Sequence, residues 1–495
     1  MFRSNACEMD VAYRTRLTAS LDVARFLLQQ GMAFHGHDES PSSLNWGNFL
    51  EMIHWYSQRC PDISNVMGQN APGNNLMLAP SIQKQLAHAC ALEITLAIIN
   101  DIGDRFFTLF VDEARHVSVK EQMGVVVRYV IKEGCVIERF LAVVHVADTS
   151  SLCLKDAIDA LFARHSLSIS KLRGQGYDGA SNMRGEFNGL KSLILEENPC
   201  AMYVHCFAHQ LQLTIVAVAK GNDMVQDFFN YVSMVVNTTG ASCKRRDKLR
   251  MLEHNRLINE LSNGERVSGR VEQVLQNIRD EAILSESRSF ARGLIDKMDS
   301  YEFVFVLHLM KFLLGVIHEL SLSLQQKDQN IIQAMTLIDT VKCQLQKFRE
   351  DGWEEILQQV GKFCELNGIA QIDMDANISR RGHKKLGAQA ITNLHYYRVE
   401  IFYQDPQFST INNLGMLAQE MGKSGKSLVF PLVYRMIELA LVLPIATASV
   451  ERVFSAMKIV KTDLSNRMAD EWMNDSLVVY IERDMFLTIE NEPIL

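Results

Sequence analysis

Two aspartates in the first half of the chain stand where a strand could end. Asp112 closes the aromatic and β-branched run FFTLFVD (106–112), and Asp178 closes LSISKLRGQGYD (167–178). Carboxylates on adjacent strand ends can bridge divalent cations, and two metal ions roughly 3.5–4 Å apart can activate a nucleophile and stabilise a leaving oxygen in phosphoryl transfer. Magnesium suits such ligands because it favours hard oxygen donors and keeps several waters. A site of this kind usually wants a third carboxylate.

Asp178 also lies in GQGYDGASNM (174–183), where Gly174, Gly176 and Gly179 have the G-x-G-x-x-G spacing of a dinucleotide-binding loop. That loop demands an acidic residue ending the next strand, to hold a ribose hydroxyl. Glu196 and Glu197 precede the next strand instead, and Asp178 would aim its charge at a pyrophosphate. Two readings remain open on the residues alone. One is a glycine-rich turn whose Asp and Asn cap the next helix, and the other is a strand delivering a catalytic carboxylate.

The elements that must position these residues follow from periodicity. In VAYRTRLTASLDVARFLLQQGMA (11–33), Leu17, Leu21, Ala24 and Leu28 recur at helical spacing. Further helices are expected at 48–58 and 82–103, so residues 1–104 read as a helical N-terminal region. From 106 the pattern becomes strand-like: FFTLFVD, GVVVRYVI (124–131) and VIERFLAVVHV (136–146) are separated by short polar turns. A helix over 151–165, the strand ending at Asp178, the helix NGLKSLILEEN, the strand AMYVHCF (201–207) and a helix from Ala208 complete the order β-β-β-α-β-α-β-α. A doubly wound dinucleotide domain alternates from the outset. Three meandering strands followed by α-β-α-β is the order of a ribonuclease-H-like core, within an α/β (α+β) chain. Residues 211 to about 365 are again helical, with long amphipathic stretches at 301–325 and 330–349, and a last helical unit begins near 427.

At 495 residues, two to four domains or subdomains are expected. The formal net charge of -8 argues against wholesale coating of nucleic acid and restricts any such contact to a local basic patch. Ten scattered cysteines, with no C-x-x-C pair, exclude the usual zinc-finger spacings and point to a reducing compartment, cytosol or nucleus. The N-terminus has no apolar run of a secretory signal, and no stretch reaches 18 uncharged apolar residues, so no membrane association is expected.

Four ordered blocks carry a resemblance: FVDEARHVSVKEQMGVVVRYV, LRGQGYDGASNMRGEFNGLKSLIL, HCFAHQLQLTIVAVAK and LPIATASVERVFSAMKIVKTDLSNRM. From about residue 13 to 488 the chain resembles hAT-superfamily transposases, in the branch that includes zinc finger MYM-type protein 1-like and TTF-type zinc finger proteins. The resemblance implies a ribonuclease-H-like fold interrupted by a large helical insertion, with an Asp-Asp-Glu triad binding magnesium or manganese. By motif, the triad falls on Asp112, Asp178 and, in ASVERVFSA, Glu451. The residues support that last placement independently. Val450, Val453, Phe454 and Met457 form an i, i+3, i+4, i+7 stripe, which puts Glu451 at the edge of the buried face of an amphipathic helix.

Cys206 and His209 occupy the family's C-x-x-H block, which the resemblance associates with the active site and the DNA end. As a zinc pair they lack two further ligands, so no structural zinc is expected. Read alone, they are a buried Cys and a helix His. His205 and Arg184 are further candidates for the DNA backbone. The clusters SCKRRDKLR (242–250), with Lys244, Arg245 and Arg246, and SRRGHKKLG (379–387), with Arg380, Arg381, Lys384 and Lys385, could neutralise phosphates, act as a nuclear import signal, or be solvated charged faces. The resemblance also implies a C-terminal dimerisation region, with Val453, Phe454, Trp472, Leu477, Tyr480 and Ile481 as contacts of a homodimer or higher oligomer. Helical spacing alone favours core for that face.

The domains expected are 1–104 (helical), 105–222 (first part of the core), 223–425 (a shortened helical insertion) and 426–495 (helices completing the core and the dimerisation region). Relatives usually begin with a zinc-coordinating DNA-binding module, and here the chain starts just after the place where it would end. GERVSGRVEQVLQNIRDEAILSESRSF contains no Trp where relatives carry an arginine-tryptophan block. A second gap falls between YYRVEIFY (396–403) and KSLVFPLVYRM (426–436), where relatives carry a longer acidic stretch. The expectation is a domesticated or degenerate nuclear transposase-like protein. It either cuts and joins DNA with metal ions or acts only as a non-catalytic interaction factor through dimerisation.

Overall fold

The computed structural model describes residues 2–495 except 41, 68–74, 116–120, 186–188, 241, 249, 252–274, 277–278, 281–284, 328, 371–412 and 462–467. The described chain divides into two compact units. The first contains Met1–Gln210, Ser323–Met335 and Glu400–Leu495, and the second Leu211–Leu322 and Thr336–Val399.

The first unit is built on a five-stranded mixed sheet. Helices α1 (Phe2–Gln30), α2 (Asn48–Ser57) and α3 (Pro80–Ile102) precede β1 (Phe107–Arg115), β2 (Glu121–Val130) and β3 (Val136–His145). Then come α4 (Ser151–Arg164), β4 (Leu172–Tyr177), α5 (Leu190–Glu197) and β5 (Met202–His205), so the element order expected of a ribonuclease-H-like core is present. Strand order is β3-β2-β1-β4-β5. The meander β1-β2-β3 is antiparallel, while β1-β4 and β4-β5 are parallel, as their helical crossovers require. β2 carries an unbroken buried run from Gln122 to Val130, which is the mark of a central strand covered on both faces.

The covering helices come from both ends of the sequence. After α6 (Phe207–Lys220), the chain forms the second unit's helices α7 (Asp223–Gly240), α8 (Ser285–Met298), α9 (Tyr301–Leu324), α10 (Ile331–Asp351) and α11 (Trp353–Asn367). It then returns to the first unit as α12 (Leu414–Lys423), α13 (Pro431–Val442), α14 (Ala448–Val460) and α15 (Asp470–Ile481). α14 lies across β1, β2 and β3, and α15 packs on α3, α14 and β3. The stripe Leu21, Ala24 and Leu28 of α1 is buried in the same core as Val450, Val453 and Met457 of α14. The N-terminal helices and the sheet therefore share one core.

The second unit has its own smaller clusters, including Val235, Leu275, Ala291, Leu294 and Ile295, and Val304, Ile356, Val360 and Cys364. Among the described residues α9 is the one helix long and apolar enough, by length and composition, to cross a membrane. Glu302, Lys311 and Glu319 fall within it.

Candidate active site

β1 does not stop at Asp112 as its sequence suggested. It continues to Arg115 because β2 keeps pairing with it, and Asp112 lies opposite Gly124. The neighbour that stops is β4. Its parallel pairing with β1 closes at Phe110↔Gly176, two residues before both Asp112 and Asp178. Both aspartates therefore leave the same edge of a parallel pair at the same level.

Glu451 is brought to that edge by packing. A Cβ on Gly124, the residue opposite Asp112, would stand 2.8 Å from Val450 Cγ1 and 3.3 Å from Phe454 Cζ. The first turn of α14 thus sits directly on the strand beside Asp112, and that closeness needs a residue without a side chain at 124. Val450 and Val453 are buried, Phe454 is half-buried and Glu451 is exposed on the outer side of the same turn. The Thr447 hydroxyl donates to the Glu451 carboxylate at 3.5 Å, and Ser449 donates to Glu138. Glu138 in turn holds buried Arg128 at 2.8 Å, and Arg128 also donates to Leu441, Lys327 and Gln329 carbonyls. This network ties both ends of the α13–α14 connection to the centre of the sheet.

The three glycines around Asp178 serve close packing. None has positive φ, so the bend does not require them. They permit close approach: Cβ atoms on Gly174 and Gly176 would meet Pro444 at 2.8 and 2.7 Å, and one on Gly179 would meet the His205 ring at 2.7 Å. Pro444 opens the connection to Glu451, so the loop of one carboxylate is seated on the approach to another. Asp178 accepts from the Ala180 amide at 3.1 Å, a local turn of the kind Asp favours. Tyr203 donates to the Asp178 carbonyl at 2.9 Å.

Electrostatics registers the convergence. Burial pushes the Asp112 carboxyl up to about 7, and the charges of Glu451 and Asp178 act in the same direction. Glu113, which sequence reasoning passed over, is also raised to about 7 by burial and by Asp178, with Asp112 contributing. Asn182 donates to Glu113 at 2.9 Å and to the Thr149 carbonyl at 2.8 Å, linking β1 to the segment after Asp178. The adjacent pair Asp-Glu was the available signal for this fourth carboxylate. Hard oxygen donors that repel one another are the chemistry a divalent cation relieves. Among the described residues, however, no group of three or more His, Cys, Asp or Glu side chains is gathered tightly enough to hold an ion.

The remaining candidates separate. Cys206 is buried, and its sulfur accepts from the Thr447 amide at 3.4 Å while the Phe207 amide donates to the Ile445 carbonyl at 2.9 Å. A thiol so placed cannot face DNA, and the expected contact is corrected to an internal tie between β5 and the turn before α14. His209 is half-buried, its ring 5.5 Å from that of His205. The side chain of Arg184 and the whole cluster with Arg380, Arg381, Lys384 and Lys385 lie outside the described residues. Lys244, Arg245 and Arg246 belong to the second unit. Lys244 and Arg246 are exposed, while Arg245 donates to the Thr238 carbonyl at 2.8 Å.

The six residues expected at a dimer contact are committed to the chain's own core. Val453, Trp472 and Leu477 are buried there, and Phe454, Tyr480 and Ile481 pack against it. The apolar face of α15 meets α3, β3 and α14, the core role that spacing alone favoured, though spacing did not identify these partners.

Two stretches match known families. Residues 1–189 match the ZMYM1/FAM200, RNase-like domain. Residues 423–485 match the hAT family C-terminal dimerisation region. A human protein named 52 kDa repressor of the inhibitor of the protein kinase is 23% identical over 228 residues, covering 43% of this chain and 30% of that protein. The chain thus matches less than a third of the length of this curated relative.

Proposed function

We propose that this chain, whose architecture is hAT-type and transposase-like with a C-terminal dimerisation region, is a nuclear DNA-acting protein. In this reading it self-associates and retains a metal-dependent cleavage and strand-transfer centre at Asp112, Asp178 and Glu451. The carrying observation is geometric: Asp112 and Asp178 each stand two residues beyond the last β1–β4 pair, and α14, which carries Glu451, packs on Gly124 opposite Asp112. Asp112 and Asp178 are held by the β1–β4 edge, and Glu451 by the seating of α14 on Gly124. A bound magnesium or manganese ion would supply Lewis-acid activation of the phosphate and of the attacking oxygen. The exposed bases Lys244 and Arg246 are proposed phosphate contacts, since DNA affinity is carried largely by such neutralisation.

The second reading is a non-catalytic factor acting through dimerisation alone. The observation favouring it is that no three ligands are gathered into a cation cage among the described residues. A cleavage assay separates the two. With manganese or magnesium, the first reading expects nicking of duplex ends that falls at least ~1,000-fold in Asp178→Asn, equivalent to several kcal/mol of charge stabilisation. Equal behaviour of wild type and variant leaves the second reading.

A further inference from the structure

The segment Leu428-Val429-Phe430-Pro431-Leu432 is exposed at every residue. Leu428, Val429, Leu432 and Met436 are between 68% and 86% exposed. Isolated surface hydrophobes need no explanation, but a contiguous apolar run on a soluble surface does. The run is also held in a defined shape. Leu428, Phe430 and Tyr434 amides donate to the carbonyls of Gly425, Lys426 and Phe430 at 2.9–3.1 Å. The opposite side of α13 is fully used, with Ile437, Leu441 and Val442 packed with Val130, Ala418 and Met421. Leu432 and Met436, at i and i+4, are therefore one outward stripe of a helix whose other side is anchored in the fold.

The region matched as a dimerisation region spans 423–485. Its exposed large apolar side chains, among the described residues, are Leu428, Val429, Phe430, Leu432, Met436 and Ile459. Five of these six fall within 428–436, while the apolar face of α15 is occupied by the chain's own core. We infer that the surface formed by residues 428–432 and Met436 is the self-association face, and that its occupant is the same surface of a second copy of this chain. A two-fold contact of this kind is isologous: each patch buries itself against its counterpart.

This assignment rests on the reading that the chain self-associates, and the test separates the two. Light scattering and sedimentation equilibrium on the full chain at micromolar concentration would be compared for wild type, Leu432→Asp, Met436→Asp and Leu428→Asp. Leu432 and Met436 are 81% and 72% exposed, so folding monitored by circular dichroism is expected to persist. Leu428, in a separate helical turn, keeps the test decisive if one variant misfolds. The expected result is a dimeric wild type and variants whose dimer dissociation constant rises roughly 1,000-fold, since a central anchor contributes about 30-fold and two-fold symmetry counts it twice. A wild-type dimer that survives all three substitutions, or that dissociates only with Ile459→Asp, overturns this face and leaves self-association standing. A monomeric wild type overturns both.

Discussion

Asp112 and Glu113 share one physical situation: two carboxyls partly removed from water, with further negative charge facing them. Both are raised to about 7, from ordinary values of 3.8 and 4.5. The folded chain therefore holds protons that the unfolded chain has released, so stability falls as pH rises from about 4 to about 7. Asp112→Asn removes one of these groups. Thermal melts across that range are expected to show a shallower decline for the variant and a higher melting temperature than wild type at pH 8. A variant curve parallel to wild type would mean that Asp112 ionises freely in the fold. The aspartates themselves were legible in the sequence, because each follows an apolar strand-like run. Glu113 was signalled only by standing next to Asp112, and what faces it, Asp178 and Asn182, belongs to a segment that the local sequence does not show. For Cys206 the residues alone read a buried thiol and the resemblance a place at the DNA end; the thiol is buried against Thr447, a depth that the C-x-x-H spacing does not itself encode.

At the scale of elements, the change of period near residue 106 gave away the β-β-β-α-β-α-β order, and all five strands lie close to where patterning put them. What periodicity could not give was partner identity. The stripe on α14 was visible, but that it rests on β2 opposite Asp112 depends on a single missing side chain at Gly124. Gly124→Ala would place a methyl 2.8 Å from Val450 Cγ1, a short branched group with little freedom to yield. The expected cost is ~1–3 kcal/mol in urea denaturation, typical of overpacking, and Val450→Ala in the same chain is expected to restore part of it. No restoration would mean that α14 is not seated there. The same limitation applies to the G-x-G-x-x-G spacing: the dinucleotide reading fails on the residues alone, but that the glycines answer to Pro444 and His205 is something the local sequence cannot show.

Across the molecule, one core joins α1, the sheet, α14 and α15, so the first and last hundred residues form a single folding unit around a sheet encoded between them. This long-range closure brings α14, which carries Glu451, onto the sheet, although Glu451 is over 270 residues from Asp178 in sequence. The buried Arg128–Glu138 pair, fastened to Leu441 and Ser449, joins β2 and β3 to the α13–α14 connection. The same closure consumes the apolar face of α15 and leaves the surface at 428–436 as the outward feature of the dimerisation region. Whether Asp112, Asp178 and Glu451 act as one cation-binding set is tested by calorimetric titration with manganese, without requiring a DNA substrate. Wild type is expected to bind, and Asp112→Asn, Asp178→Asn and Glu451→Gln are each expected to weaken binding at least tenfold. Equal affinity in wild type and all three variants, or no binding by wild type, would contradict the claim.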